Sequence, residues 1–403
     1  MIYNFDKIIN RKGTCCTKWD SLEERFTRKD LISMWIADMD FKTPDFFTKA
    51  LVNRIGDGVL GYGCRPNEWY ESVIKWFNKR YSWKIKKENI GFVPGIVLGL
   101  CHALRCFTKP GDKVLIMPPV YFPFKNQILA AGCKVVNNKL LLVEKKTKKG
   151  IVERFEVDWT DFENKIKGCK MFILCNPHNP GGRVWSREEL KKMADICLKN
   201  KVMVLSDEIH CDLYSKKHIP FATVNSKQAL NTITFHAPSK TFNCAGMCAS
   251  EWITTSKAIK DKFQSYLSAG DFDNAHCLAY YPAMLLYSDK GEEWLSQALS
   301  YIDGNIEFVT KFLRENFTID GKQMVSMILP EASFLVFLNF RNLKMSQKKL
   351  VDFIINDSKL ALNDGSTFGP GGEGFMRLNV GCPRAVLEKA LKQLLVAFKK
   401  KFK

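Results

Sequence analysis

The sequence predicts an α/β protein. A mostly parallel sheet is sandwiched by helices, and a smaller α+β unit is joined to it. Two observations predict the larger part. Short apolar runs recur through the middle of the chain, and each is followed by a loop and then a helical pattern. That alternation is what strand–helix–strand crossovers produce. A third observation predicts the smaller part: after about residue 316 the strand-like runs MVSMILP, SFLVFLNF and FMRLNVG mix with helical segments.

The elements follow in order. A helix is expected to begin near TPDFF, with Thr43 as its cap and Pro44 in its first turn. In NIGFVPGIVLGLCHALRCF, a turn at Pro94-Gly95 opens a helix whose apolar face is Ile96, Leu100, Ala103 and Phe107. GDKVLIMPPVYFPF reads as a buried strand. CKMFILCNPHNPGGRV is the next, followed by the helical SREELKKMADICLKN, and then come KVMVLSDEIH, NTITFHAPSK and CASEWITT. From about Gly291 to Asn316, the residues Leu295, Leu299, Ile302, Ile306, Val309 and Leu313 alternate at spacings of four and three, one apolar face of a long helix. The expected division is residues 1–45 as an N-terminal segment packing with the smaller unit, 46–290 as the large unit and 291–403 as the small one.

With 403 residues, 46% of them hydrophobic, the chain can bury a sizeable core. No apolar run approaches the roughly 18 residues of a membrane span. The segment MIYNFDKIINRKG lacks a signal-peptide core, so a cytoplasmic location is expected, with no membrane partner. Fourteen cysteines without a single C-x-x-C pair predict reduced, mostly buried thiols rather than disulfides or a metal site. The net charge of +19 is spread along the chain, with short clusters at VEKKTKKG and FKKKFK. Without an RNA-binding signature or zinc-finger spacing, it predicts a solvated basic surface and no specific nucleic-acid partner.

The residues that end the apolar runs carry the chemistry. Tyr121 follows VLIMPP, Asn179 follows MFILCNPH, Asp207 ends VMVLSD with His210 three residues on, and Lys240 follows TITFHAPS. Parallel strands would gather them on one rim, where ligands of such sheets bind. Together they suit pyridoxal 5'-phosphate. Its aldehyde needs a lysine amine for a Schiff base. Its ring nitrogen needs a carboxylate, since the protonated ring draws electrons from the substrate. Asn179 can donate to the ring oxygen, and Tyr121 can stack on the ring. The turn at Gly95 and the helix start after it can hold the phosphate, with Ser239 as a hydroxyl donor.

At CNPHNPGG, SDEIH and APSKTFNCAGM the chain resembles the fold-type I pyridoxal-phosphate enzymes of the aminotransferase class I/II superfamily. MWIADMDF, LGYGCRP, PVYFPF and APSKTFN look like its MalY/PatB branch of C–S lyases, the cystathionine β-lyase-like enzymes that include cystalysin. The resemblance runs from about residue 1 to the end. It implies that Lys240 carries the cofactor and shuttles protons, that Asp207 pairs with the ring nitrogen and Asn179 with the ring oxygen, and that Tyr121 stacks. It assigns the phosphate to the backbone N–H groups of Gly95, Ile96 and Val97, with His210 and Ser239 beside the cofactor. It gives the substrate α-carboxylate to Arg377, and it lines the substrate site with Trp35 to Phe41, including Ala37 and Asp38. It sends Tyr62 across the interface of a homodimer with shared active sites.

Two departures favour the lyase branch over general aminotransferases. Cys248 stands where many of those carry a phosphate-binding arginine, and His210 where they often carry tyrosine. Phe122 replaces a second tyrosine found in some lyases of the branch. The expected reaction is β-elimination of a thiol from an S-substituted cysteine, giving pyruvate and ammonia. The alternatives are an aminotransferase of broad specificity and a catalytically weak binding or regulatory protein on the same fold.

Overall fold

The computed structural model describes residues 2–147 and 150–402. The Lys148-Lys149 end of the basic cluster VEKKTKKG, and the final Lys403, lie outside the described residues. The large sheet comprises β1 (Ile90–Val93), β2 (Lys113–Ile116), β3 (Lys134–Asn137), β4 (Cys169–Cys175), β5 (Met203–Asp207), β6 (Thr232–His236) and β7 (Ser250–Ile253). Its spatial order is β1-β7-β6-β5-β4-β2-β3. β7 runs antiparallel to both of its neighbours, and the other pairings are parallel. β1 therefore points the same way as β6, and the carboxyl ends of β1, β2, β4, β5 and β6 share one rim.

The strands are apolar on both faces because helices cover both. Their side chains divide with a period of two. Val114, Ile116, Met171, Ile173 and Leu205 join one core cluster. Leu115, Phe172, Leu174 and Val204 join the other. Helix Arg187–Lys199 starts with a capping box in which Ser186 and Glu189 satisfy each other's backbone N–H. Helix Asp45–Gly56 is capped differently from expectation. Pro44 occupies the cap, and the Thr43 hydroxyl donates instead to Asn243 O at 2.9 Å. The Thr43 side chain is turned to a tertiary partner rather than to the helix N–H groups it would cap.

The smaller sheet has β8 (Ser326–Ile328), β9 (Leu335–Asn339), β10 (Asn363–Asp364) and β11 (Phe375–Asn379) in the antiparallel order β8-β9-β11-β10. The long helix is Asp289–Asn316, so it begins just before the expected 290/291 boundary. Ser288 caps it, and Leu295, Ile302, Ile306, Val309 and Leu313 are buried along its inner face. In the N-terminal arm, Ile32–Ser33 pairs in parallel with Leu360–Ala361.

The two sheets meet at Gly182. Its φ is +64°, and a Cβ there would stand 2.4 Å from Pro330 Cβ. Its carbonyl accepts from the N–H groups of Glu331 and Ala332. Only glycine permits so close an approach in that conformation.

Candidate active site

Five strand ends and the N-terminal arm build one cavity of about 300 Å³, lined among others by Ala37, Gly95, Ile96, Val97, Tyr121, Asn179, Asp207, His210, Ser239 and Lys240. The chain leaves β1, turns at Pro94-Gly95 and enters helix Ile96–Phe107. Gly95 has φ +133°, and no atom lies within 4 Å of where its Cβ would be. Backbone conformation and the open cavity side, not crowding, call for glycine there. The Gly95 N–H is already donated to Val93 O at 2.8 Å. The N–H groups left for a ligand are those of the helix's first turn, beginning at Ile96 and Val97 on the cavity wall, which have no helical partners of their own.

β4 and β5 run side by side, with Cys175 opposite Asp207. The chain beyond Cys175 folds back, and Asn179 N donates to Cys175 Sγ at 3.3 Å. Asn179 Oδ1 accepts from Arg377 Nη1 at 3.0 Å, which leaves its Nδ2 as the donor for a ligand. Arg377 lies on β11, behind the cavity. It also donates to Trp35 O at 3.0 Å and to Asn363 Oδ1 at 2.7 Å, and it stacks over Phe368. Lys240 sits in the short helix after β6, and its Nζ donates to Ala37 O at 2.6 Å.

Electrostatically the cavity is strained toward neutrality. Burial raises the Asp207 carboxyl to about 7, and the one N–H that opposes this is Ile209's, at 3.2 Å. Burial pulls the Lys240 amine down to about 8, against the pull of Asp38 and Asp207. Burial, with the cations of Lys240 and Arg377 beside it, lowers the His210 imidazole to about 3. Burial brings even Arg377 to about 10, so it keeps its charge at neutral pH. His210 Nδ1 and Arg377 Nε are buried without a hydrogen-bond partner among the described residues. A neutral lysine amine is a nucleophile, and a carboxylate short of partners is a site for a cation.

Of residues 35–41, expected to line the substrate site, Ala37 alone among the described residues reaches the cavity wall. Met39 and Phe41 pack into the core, and Asp38 and Asp40 are held by Arg11 and Lys18. Arg377 and Tyr62 stand off the wall as well. Arg377 and Asp38 lie just behind it, Asp38 held by Arg11 through two contacts at 2.8 and 3.1 Å. Tyr62 is fully exposed and touches no part of the cavity within its own chain. Phe122 is not on the wall either; its ring lies 5.5 Å from Tyr121 and 6.1 Å from Phe368. Residues that sequence reasoning passed over include Cys175, Ile209, Leu98 and Ser250 on the wall. Seven of the fourteen thiols are buried, and Cys248, by contrast, is exposed and lines the cavity. Backbone register could have found Cys175 and Ile209, because each neighbours a singled-out residue at a strand end.

The site fits pyridoxal 5'-phosphate by its donor set. It has free helix N–H groups and a hydroxyl for a phosphate, an unanswered buried carboxylate for a protonated ring nitrogen, an amide donor, and a lysine amine of depressed pKa. Comparison with known proteins agrees. Residues 29–394 match the family described as aminotransferase class I and II. Cystathionine beta-lyase PatB of Bacillus subtilis (strain 168) is 39% identical over 98% of this chain and 99% of its own. Protein MalY of Escherichia coli (strain K12) is 29% identical, covering 99% of each. Among solved structures, cystalysin from Treponema denticola, which contains a pyridoxal 5'-phosphate cofactor, superposes with a TM-score of 0.92 at 34% identity, over 99% of this chain and 100% of its own. The PLP-bound C-S lyase from Staphylococcus hominis gives 0.88 at 31% identity, over 98% of both chains.

Proposed function

The chain belongs to the aminotransferase class I and II family and is a pyridoxal 5'-phosphate-dependent carbon–sulfur lyase, and we propose that its substrates are cystathionine, cysteine and other S-substituted cysteines, from which it releases a thiol, pyruvate and ammonia. The observation that carries this reading is the convergence of Lys240, Asp207 and Asn179 from three neighbouring strands on one cavity, with Arg377 behind it.

The residue roles belong to the same proposal. When bound, pyridoxal 5'-phosphate supplies an electrophilic aldehyde and a ring that accepts the electrons left at the substrate Cα. Lys240 provides the covalent attachment and, once freed, takes the Cα proton at Nζ; such acid–base help contributes roughly 10²–10⁴-fold. Asp207 keeps the ring nitrogen protonated, and Asn179 donates to the ring oxygen. Tyr121 covers one ring face and excludes water, while His210 presents a neutral imidazole. The N–H groups of Ile96 and Val97, with the Ser239 hydroxyl, hold the phosphate, while Gly95, whose N–H is given to Val93 O, shapes the turn beside it. Arg377 grips the α-carboxylate with its planar fork. Ala37 and Asp38 border the substrate.

The chain works as a homodimer in which Tyr62 reaches the neighbouring subunit's site. Val52, Val59, Leu60 and Tyr62 are exposed, as is the cavity-lining Leu98, and this unburied apolar surface supports that reading. Residues 46–290 form the cofactor-holding unit, 291–403 the smaller one, and 1–45 a segment docked on the latter. No described helix is long and apolar enough to cross a membrane. The free thiols support a reducing, cytoplasmic setting.

The test is the absorbance of purified protein, followed by assays of thiol and pyruvate release from cystathionine and cysteine. A yellow band with pyruvate formation is expected. A yellow band with amino transfer to a keto acid and no pyruvate would overturn the elimination reading.

A further inference from the structure

The backbone carbonyls of residues 36–41 are claimed almost one by one. Asn379 Nδ2 donates to Ile36 O at 2.7 Å and to Asp38 O at 2.6 Å. Asn243 Nδ2 donates to Met39 O at 2.9 Å and to Phe41 O at 2.7 Å. Met39 N donates back to Asn243 Oδ1 at 2.9 Å. The carbonyl between the two Asn379 bonds is Ala37 O, and it accepts from Lys240 Nζ at 2.6 Å.

The two asparagines are tied to the residues they serve. Asn243 lies three positions beyond Lys240, at φ +54°, a conformation asparagine tolerates better than most side chains. Asn379 lies two positions beyond Arg377 on β11, hence on the same face of that strand. From outside, Arg11 grips Asp38 and Asp40, and buried Lys18 contacts Asp40 at 2.8 Å and Asp38 O at 3.0 Å.

We propose that Asn243 and Asn379 are positioning residues for Lys240: they fix Ala37 O as the acceptor on which the amine rests whenever it is not covalently engaged. The inference rests on the lyase reading and deepens it. A lysine side chain has four rotatable bonds, and a freed amine would wander over several rotamers. One N–H donated to a fixed carbonyl holds the nitrogen in place and leaves its lone pair for the substrate Cα proton. A backbone carbonyl suits this because, unlike a carboxylate, it does not compete for that proton. The charged and titratable groups that face the amine are Asp38, Arg377, Asp207, Cys244 and His210, and none of them donates or accepts in this contact.

The variants are Asn243→Ala and Asn379→Ala. Each deletes the amide donors to the carbonyls flanking Ala37 without adding a charge beside the amine. In the cofactor-free protein, the pH midpoint for acetic anhydride labelling of Lys240 is read by peptide mass. It should fall below the wild-type value, because losing an acceptor disfavours the ammonium. In the loaded enzyme, kcat should drop roughly 10–100-fold with KM little changed, and the isotope effect from substrate deuterated at Cα should rise. Asn243 is only partly buried, so its variant decides the matter if Asn379→Ala fails to fold. Folded variants with unchanged labelling midpoint and unchanged isotope effect would overturn the proposal. Absence of thiol release in the wild type would instead defeat the lyase reading, and the labelling midpoint would still decide the clamp.

Discussion

Asp207 and Asp212 are five residues apart and both buried, and their surroundings treat them in opposite ways. Asp212 is met by Arg80 at 2.7 Å, Trp76 Nε1 at 3.2 Å, Thr241 Oγ1 at 3.1 Å and the Tyr81 hydroxyl. Burial alone would raise its pKa, but Arg80 and His236 hold it well below the usual carboxylate range. Asp207 has the Ile209 N–H, and burial raises it to about 7. The histidines divide likewise. Against burial, His236 is held well above its ordinary pKa, with Asp212 on one ring nitrogen and Glu251 on the other. His210 is driven down to about 3.

One region answers its charges with the chain's own groups. The other leaves them to be answered by what binds. The first also supports the second, because Thr241, adjacent to Lys240, is one of the donors to Asp212. Strained ionisable groups gathered in a cavity mark chemistry, whereas satisfied ones mark structure.

The comparison can be tested by substitution. The largest effect is expected at Lys240→Ala: covalent cofactor attachment and thiol release should vanish, as read by absorbance and pyruvate assay, with the melting temperature of the cofactor-free protein not lowered. Asp212→Ala should do the reverse. It removes the carboxylate that Arg80 and His236 share, leaving Arg80 with Glu292 at 3.5 Å and His236 with Glu251, and should cost about 3–5 kcal/mol in a urea melt. A loss under 1 kcal/mol would mean that the network contributes little to stability.

Arg377→Ala should lower kcat/KM for S-substituted cysteines by roughly 100-fold, about 3 kcal/mol, since a charged bidentate contact is lost. An unchanged value would move the carboxylate grip elsewhere. The smallest effect is expected at Asp207→Asn in the cofactor-free protein. The Asp207 pKa is raised from 3.8 to about 7 on folding. The wild type therefore loses stability as pH rises through that window, and the amide does not. The variant should be more stable above pH 7 and equal to the wild type below pH 4. Melts at pH 4 and pH 8 compare the two. A variant no more stable at pH 8 would show that the Asp207 charge is already compensated.

Strand ends were legible because a parallel sheet carries whatever follows each strand to the same rim. Tyr121, Asn179, Asp207 and Lys240 could thus be grouped before any contact was known, and apolar runs alternating with helical patterns were enough to place the sheet. The cap of helix Asp45–Gly56 was not legible, because Thr43 is drawn to Asn243, 200 residues away. Nor was the reversed direction of β7, since an apolar run reads the same both ways.

By itself, then, the sequence determined the layered fold and the chemical groups on offer. Both follow from local periodicity and from the residue types at strand ends. Only the tertiary structure decided which of two nearby aspartates is satisfied and which is left poised. It alone also brought Asn243 and Asn379 to the carbonyls around Ala37, more than 200 residues from either one. The physical reason is that desolvation and hydrogen-bond satisfaction depend on which distant groups arrive at a buried atom, and no stretch of neighbouring letters records that.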